Sequence, residues 1–216
     1  MELAPIFTSP VGQSMFCAST VFWMATWLYT YFTIRKKGHF GDNSFVMCFH
    51  AIVGILFSSL SLLIDDESKF SEAIILCWSG GFFVVDALDC IISMDWMFTL
   101  HGIIGLCLVY VNSCMPFYGI RTGSKGFFVE ASTPLYHRWL NNKSKKNFGH
   151  FSLSFFLVRI VWTPIFVYQT KQQVELHKYV IWVSAAFYLL QCVWFLKGLQ
   201  MYLNYRKDPV EDKKEK

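Results

Sequence analysis

Ionisable side chains lie inside hydrophobic runs in the middle of this 216-residue chain. Asp86 and Asp89 fall in one run, His101 falls in the next, and Glu130 falls in a third. A charged group at the centre of a bilayer costs roughly 2.5–3.5 kcal/mol on insertion scales, so such groups usually face a bundle interior and mark a functional pathway. Any chemistry of this protein is therefore expected in this stretch.

Asp86 and Asp89 are spaced to act together. They lie three residues apart, so they share one face of a helix. Such a pair could share a proton, hold a cation or receive a substrate amine. Alternatively, the two carboxylates only bond neighbouring helices and hold the bundle together. Asp95 stands at the short turn before the next run and is expected to cap the helix that follows.

His101 is the candidate proton carrier of this stretch. Imidazole can accept and return a proton near neutral pH, and the glycines at 102 and 105 would let a neighbouring helix approach closely. Asn112 lies further along the same helical face. His50, in an earlier hydrophobic run, is a second candidate. The alternative for a lone histidine on an apolar helix is a packing role.

Glu130 begins a polar segment that continues to Pro134, His137 and Arg138. The last two side chains are expected to extend to the membrane surface. Glu130 is deeper and needs a buried partner. Arg159, about halfway along a later hydrophobic run, is the natural counter-ion for Glu130 or for the two aspartates.

The elements that must position these side chains are predicted to be membrane spans. The chain is 54% hydrophobic and 16% charged, whereas soluble domains are about 25% charged. A spanning helix needs about 20 mainly apolar residues. This predicts an all-α, polytopic membrane helix bundle of about seven spans. The predicted spans are 11–34, 44–64, 73–94, 96–120, a weaker segment at 126–140, 148–168 and 179–205.

Basic residues are unevenly distributed among the loops. They follow the first, the weak fifth and the last runs, at 35–37, 138–146 and 206–216, and the positive-inside rule places such loops in the cytosol. This arrangement requires the weak segment to cross, with a lumenal N-terminus and a cytosolic C-terminus. Lys213 and Lys214 match the dilysine retrieval signal of endoplasmic-reticulum membrane proteins. That membrane is therefore the predicted location.

Several kinds of site are not indicated by the sequence. All seven cysteines lie in predicted spans, no two are spaced as CxxC, and the six histidines are isolated. Neither a disulfide framework nor a metal site is predicted. The chain has no Gly-rich phosphate loop and no Gly-x-Ser-x-Gly elbow. No cofactor and no nucleic-acid partner are expected.

Four segments together resemble the TLC domain family, named for TRAM, LAG1 and CLN8 homology. They are His50, the stretch 81–86 that leads to Asp86, the segment 99–102 around His101, and the segment 127–139 with Glu130-Ala-Ser-Thr-Pro. The resemblance covers roughly residues 43–205 and implies a barrel of six helices around a central cavity open to lipid. It leaves 1–42 as a tail, an extra helix and a basic loop, and 206–216 as a basic cytosolic tail.

The resemblance also implies a role in membrane lipid homeostasis. Family members that make ceramide join an acyl-CoA to a sphingoid base, so acyl-CoA is the implied co-substrate and membrane lipids are the implied partners. The cavity holding the lipid chain would be lined by Asp86, Asp89, His101 and Glu130. With the residues singled out above, the predicted catalytic residues are His101, as general base or transient acyl carrier, and Asp86 and Asp89. The predicted substrate-binding residues are His50, Asn112, Glu130 and Arg159.

One departure from the family pattern keeps other functions open. Many members have His-His where this chain has His101-Gly102, so His101 alone would have to activate the nucleophile and move protons. A non-catalytic lipid sensor or carrier is one alternative. An endoplasmic-reticulum trafficking or translocon-associated protein is another. A purely structural bundle is the third.

Overall fold

The computed structural model describes residues 5–33, 44–64, 66, 68–114, 117–175 and 178–204. Every regular element in these ranges is helical, which confirms the predicted all-α class. The basic loop at 35–37 and the tail with Lys213 and Lys214 lie outside the described residues. The elements are α1 (Pro5–Thr8), α2 (Pro10–Thr33), α3 (Ser44–Ile64), α4 (Ala73–Ile92), α5 (Trp96–Asn112), α6 (Thr122–Phe127), a 3-10 helix (Phe128–Ser132), α7 (Thr133–Asn141), α8 (Lys145–Phe155), a π-helix (Phe156–Val161), α9 (Trp162–Gln173) and α10 (Lys178–Asn204).

Four helical stretches among the described residues are long and apolar enough to cross a membrane. They are Ser44–Ile64, Ala73–Ile92, Lys145–Gln173 and Val180–Asn204. In α4, 67% of the most apolar stretch is buried inside the protein, against 17–28% in the other three. The central helix is therefore α4, and the other three present much of their surface to the surroundings.

Two neighbouring helices pack closely against α4 because glycines lie at the contacts. A Cβ built on Gly102 of α5 would lie 3.0 Å from the Cβ of Ala87. On the other side, a Cβ on Gly81 would lie 2.7 Å from the backbone nitrogen of Thr20 in α2. The predicted close approach at Gly102 is thus present, and α2 packs directly on the central helix.

The turn between α4 and α5 is capped as predicted. Asp95 Oδ1 accepts a hydrogen bond from the backbone N–H of Phe98 at 3.3 Å, which satisfies a donor in the first turn of α5. The far end of α5 differs from the prediction, because the helix ends at Asn112 and not near residue 120. The side chains of Asn112 and Ser113 bond backbone carbonyls one turn back, and such local bonds compete with regular helix geometry.

The weak segment predicted at 126–140 is an interrupted helix that begins four residues earlier than predicted, at Thr122, and ends at Asn141. It consists of α6, the 3-10 helix and α7, and we call it the 122–141 segment. Near one end Ser124 Oγ donates to Ser61 Oγ at 2.8 Å, and at the other the side chains of Ser44 and Asn141 are hydrogen-bonded at 3.3 Å. The segment therefore runs antiparallel along nearly the full length of α3.

Candidate functional site

The central cavity lies between α4, α5, the 122–141 segment, α9 and α10, and has a volume of about 120 Å³. Its walls are mainly apolar and aromatic, with a few polar side chains among them. Sites for small molecules in proteins have this composition, in which a small number of polar groups orient the ligand. The polar residues that line it are Ser79, His101, Asn112, Thr122, Glu130, Thr163, Thr170 and Ser184.

Four of these polar side chains have an atom without a hydrogen-bond partner in the described part of the protein. The atoms are Ser79 Oγ, His101 Nδ1, Asn112 Oδ1 and Thr163 Oγ1, and all four are buried. A buried polar group costs about 1–3 kcal/mol when it is left unsatisfied. The residues around the cavity therefore have unused hydrogen-bonding capacity beside its apolar surface.

A buried ion pair lies at the edge of this cavity. Arg159 Nη2 lies 3.3 Å from Glu130 Oε1, and each side chain is about 90% buried or more. Thr133 Oγ1 donates to Glu130 Oε2 at 2.6 Å. Arg159 Nε donates to Ser132 Oγ at 2.9 Å, and its Nη1 donates to Gln191 Oε1 at 3.0 Å. Arg159 is thus the counter-ion of Glu130, one of the partners predicted for it.

Irregular helix geometry positions both members of the pair. Glu130 lies in the 3-10 helix, and Arg159 lies in the π-helix Phe156–Val161. A π-turn widens the helix by one residue and occurs frequently at functional sites. Since Gln191 belongs to α10, the guanidinium joins three separate elements of the bundle.

His101 lines the same cavity as Glu130 and Asn112. Its ring lies 5.0 Å from that of Trp194 and 6.0 Å, nearly perpendicular, from that of Phe83. The imidazole is therefore held between aromatic rings while Nδ1 remains without a partner among the described residues. Three predicted site residues, His101, Asn112 and Glu130, are thus brought to one cavity.

The two aspartates do not line the cavity, contrary to the prediction. Asp86 is buried and lies one helical turn beyond Phe83, the last residue of α4 at the cavity. Asp89 is completely buried, and its Oδ1 accepts a hydrogen bond from Trp27 Nε1 of α2 at 2.7 Å. This contact joins α2 to α4.

His50 is also separate from the cavity lining. Its ring stacks on Phe82 with centroids 3.8 Å apart, and Phe127 meets it edge-on at 5.4 Å. Trp23 of α2 contacts the same ring at 5.5 Å. The histidine is thus packed inside an aromatic cluster. Of the three rings named, Phe127 also lines the central cavity, so it lies between His50 and that cavity.

Two buried charged residues near the cavity were not predicted from the sequence. Glu72 is completely buried, and its carboxylate accepts backbone hydrogen bonds from Gly119 and Ser124, both at 3.1 Å. Arg121 is buried and donates to Ser61 Oγ and to the Phe70 carbonyl, both at 3.2 Å. Both lie in the sequence between predicted spans, and nothing in their spacing marks them as buried.

This polar cluster closes the end of the cavity nearest α6. Thr122 and Gly123 line the cavity and follow Arg121 directly in the chain. A Cβ at Gly123 would lie 3.2 Å from Glu72 Oε1 and 2.8 Å from a Leu76 methyl. Glycine at 123 therefore lets the chain pass close to the Glu72 carboxylate.

Within the described ranges, no group of three or more His, Cys, Asp or Glu side chains could hold a metal ion.

The comparison with protein families covers the part of the chain that forms the central cavity. Residues 63–206 match a family model described as TLC domain. The matched range begins at the end of α3 and includes every residue that lines the central cavity. No curated protein and no solved structure matches the chain.

Proposed function

Because the chain belongs to the TLC domain family, we propose that it is an integral membrane protein that binds a lipid in the central cavity and acts in membrane lipid homeostasis. The observation that carries the proposal is the set of unpartnered polar atoms on residues that line an apolar cavity. An apolar lipid chain would pack against the aromatic walls. A polar lipid group would form hydrogen bonds with the unpartnered atoms of Ser79, His101, Asn112 and Thr163.

The size of the cavity limits how much of a lipid it accepts. A cavity of about 150 Å³ holds one benzene molecule, and the central cavity measures about 120 Å³. It therefore accommodates one segment of a lipid, and the remainder of the molecule extends beyond the cavity. The segment next to the polar headgroup fits best, because it presents both polar and apolar atoms to the lining.

Filling the cavity should abolish lipid binding without unfolding the protein. Gly126 lines the cavity, and a Cβ there would touch only the Phe166 ring, at 3.5 Å. We expect Gly126→Leu to reduce the lipid retained by purified protein at least tenfold, as measured by mass spectrometry of extracted lipid. Gly149→Leu is the matched control, because nothing lies within 4 Å of a Cβ there. Equal lipid retention by the two variants would contradict the proposal.

A second candidate function is acyl transfer from acyl-CoA to a lipid amine or hydroxyl. It is favoured by the free Nδ1 of His101 in the cavity lined by Glu130. His101 would remove a proton from the lipid nucleophile, which forms a bond to the thioester carbonyl. The carbon–sulfur bond then breaks, and the coenzyme A thiolate leaves with the proton.

The packing around Gly102 supports binding over catalysis. A Cβ at this position would lie 3.2 Å from the Cα of Ala87, so a second histidine would require α4 and α5 to separate. Purified protein with labelled acyl-CoA and a panel of lipid acceptors tests the reaction. A product that is lost in His101→Ala, but not in the control His150→Ala with its exposed ring, would establish catalysis. Without such a product the protein is a lipid carrier or sensor.

We further propose that the protein resides in the endoplasmic reticulum membrane with its C-terminus in the cytosol. The sequon Asn142-Lys143-Ser144 should then stay unglycosylated, because its loop faces the cytosol. A sequon inserted in a lengthened loop at 174–178 should receive a glycan. Both are measured in microsomes by the mass shift on glycosidase treatment. A glycan on Asn142 would mean that the orientation is reversed or that the 122–141 segment does not cross.

A further inference from the structure

A second cavity, of about 620 Å³, lies at the end of the bundle where α3 begins and α7 meets α8. We call it the basic pocket. Since α3 is long and apolar enough to span, its end at Ser44 lies near the membrane surface. The residues that line the basic pocket are Cys48, Pro134, His137, Arg138, Asn141, Asn142, Ser144, Lys146 and Asn147.

The charge of the basic pocket is of one sign. Arg138 and Lys146 are exposed cations, and no carboxylate is among the described residues that line it. Neither cation forms an ion pair with another described residue. Two like charges that line one pocket repel each other, and an anion bound in the pocket would offset that repulsion.

The backbone contributes to the same positive field. The helix α8 begins at Lys145, with Ser144 as its N-cap, so its N-terminus lies at the pocket. A helix N-terminus carries a partial positive charge and binds anions readily. Asn147 is held in place by its amide, which donates to the Asn142 carbonyl at 3.0 Å. The turn that carries Lys146 is therefore ordered by its own hydrogen bonds.

His137 shapes the floor of this pocket in a way that the sequence did not suggest. It was expected to extend to the membrane surface, but its side chain is only 2% exposed, and Nδ1 is hydrogen-bonded to Ser44 Oγ at 3.2 Å. The contact joins α7 to the start of α3. The next residue, Arg138, is exposed, and the contact between His137 and Ser44 fixes the part of α7 that carries it.

We propose that the basic pocket binds a phosphate group. The guanidinium of Arg138 can hold two phosphate oxygens at once, and Lys146 adds a point charge. The pocket lies near the membrane surface, so the phosphate can belong to an anionic lipid headgroup or to a soluble phosphate compound. This site is distinct from the central cavity and does not depend on lipid binding there.

The test uses the full-length chain in phosphatidylcholine nanodiscs with two probes. Phosphatidic acid added to the disc represents the headgroup, with retention measured by native mass spectrometry. Soluble pyrophosphate represents the free compound, with binding measured by calorimetry. We expect Arg138→Gln/Lys146→Gln to weaken binding of the effective probe at least tenfold. The control Lys69→Gln/Lys171→Gln removes the same charge from the other end of the bundle and should bind normally.

Each result decides between outcomes. Binding of phosphatidic acid alone identifies a lipid headgroup site, binding of pyrophosphate alone identifies a site for soluble phosphate, and binding of both supports a general phosphate site. Binding of neither probe, or equal binding by the pocket and control variants, overturns the proposal. If the double variant does not fold, Lys146→Glu provides the same test with one exposed substitution. Arg138 and Lys146 line the basic pocket and are not among the residues that line the central cavity, so a loss of binding confined to the pocket variant separates the two sites.

Discussion

Replacing Arg159 with methionine should lower the free energy of unfolding by about 3–5 kcal/mol, the usual cost of removing one partner from a buried ion pair. The substitution leaves the Glu130 carboxylate buried with only the hydroxyl of Thr133 among its described donors. It also removes the bonds to Ser132 and Gln191 that join separate helices. Reversible unfolding in mixed detergent micelles measures the change.

The double substitution Glu130→Leu/Arg159→Met separates the ion pair from its surroundings. It removes both charges, so we expect it to be more stable than Arg159→Met alone. Together with the single variant Glu130→Leu it completes a double-mutant cycle, which gives the coupling energy of the pair. Lys171→Met is the matched control, because Lys171 is an exposed cation in the same continuous helical stretch. If Arg159→Met were as stable as Lys171→Met, the ion pair would not contribute to the fold.

The substitution Gly81→Ala should displace α2 from the central helix. The new methyl group would lie 2.7 Å from the nitrogen of Thr20 and 2.8 Å from the carbonyl carbon of Ser19. Both are backbone atoms, which cannot rotate away, so the whole of α2 has to shift. Overpacking of this kind costs about 1–3 kcal/mol, and the free energy of unfolding should fall by that amount in the same micelles.

The control variant for this prediction should change the free energy of unfolding in the opposite direction. Gly149→Ala is also helical, and nothing lies within 4 Å of its new methyl group, so it should stabilise the protein by up to about 1 kcal/mol. A second measurement uses Trp27→Phe, which removes the hydrogen bond to Asp89. Its cost should be smaller in the Gly81→Ala background, where that bond is already strained. Stabilisation by Gly81→Ala would show that α2 is not packed on α4.

The contacts of Asp89 and Gly102 are the observations that favour the proposed lipid binding over the proposed acyl transfer. Asp89 is used to hold α2 through Trp27, and Gly102 is used to pack α5 on α4. Among the described residues that line the cavity, His101 and Asn112 keep an atom without a hydrogen-bond partner, as do the hydroxyl groups of Ser79 and Thr163. These groups can satisfy a polar headgroup without any further chemistry.

The sequence alone determined the class of the fold and the kinds of residue at the site. A bilayer forces backbone hydrogen bonds to close within each segment, so apolar runs of about 20 residues predict helices. A buried charge requires a partner, and this rule identified Arg159 as a counter-ion before its neighbours were known. The cap at Asp95 is equally local, since the aspartate and the N–H that it binds are three residues apart.

Only the tertiary structure decided which partners these residues have. It joined Arg159 to Glu130, Asp89 to Trp27, and His137 to Ser44. In a soluble helix the apolar face points to the core, so periodicity identifies neighbours. A membrane helix is apolar on both its lipid side and its bundle side, so the pattern does not distinguish them. The contacts of Glu72 and Arg121 bridge residues 47 to 60 positions apart, and only the folded chain brings such residues together.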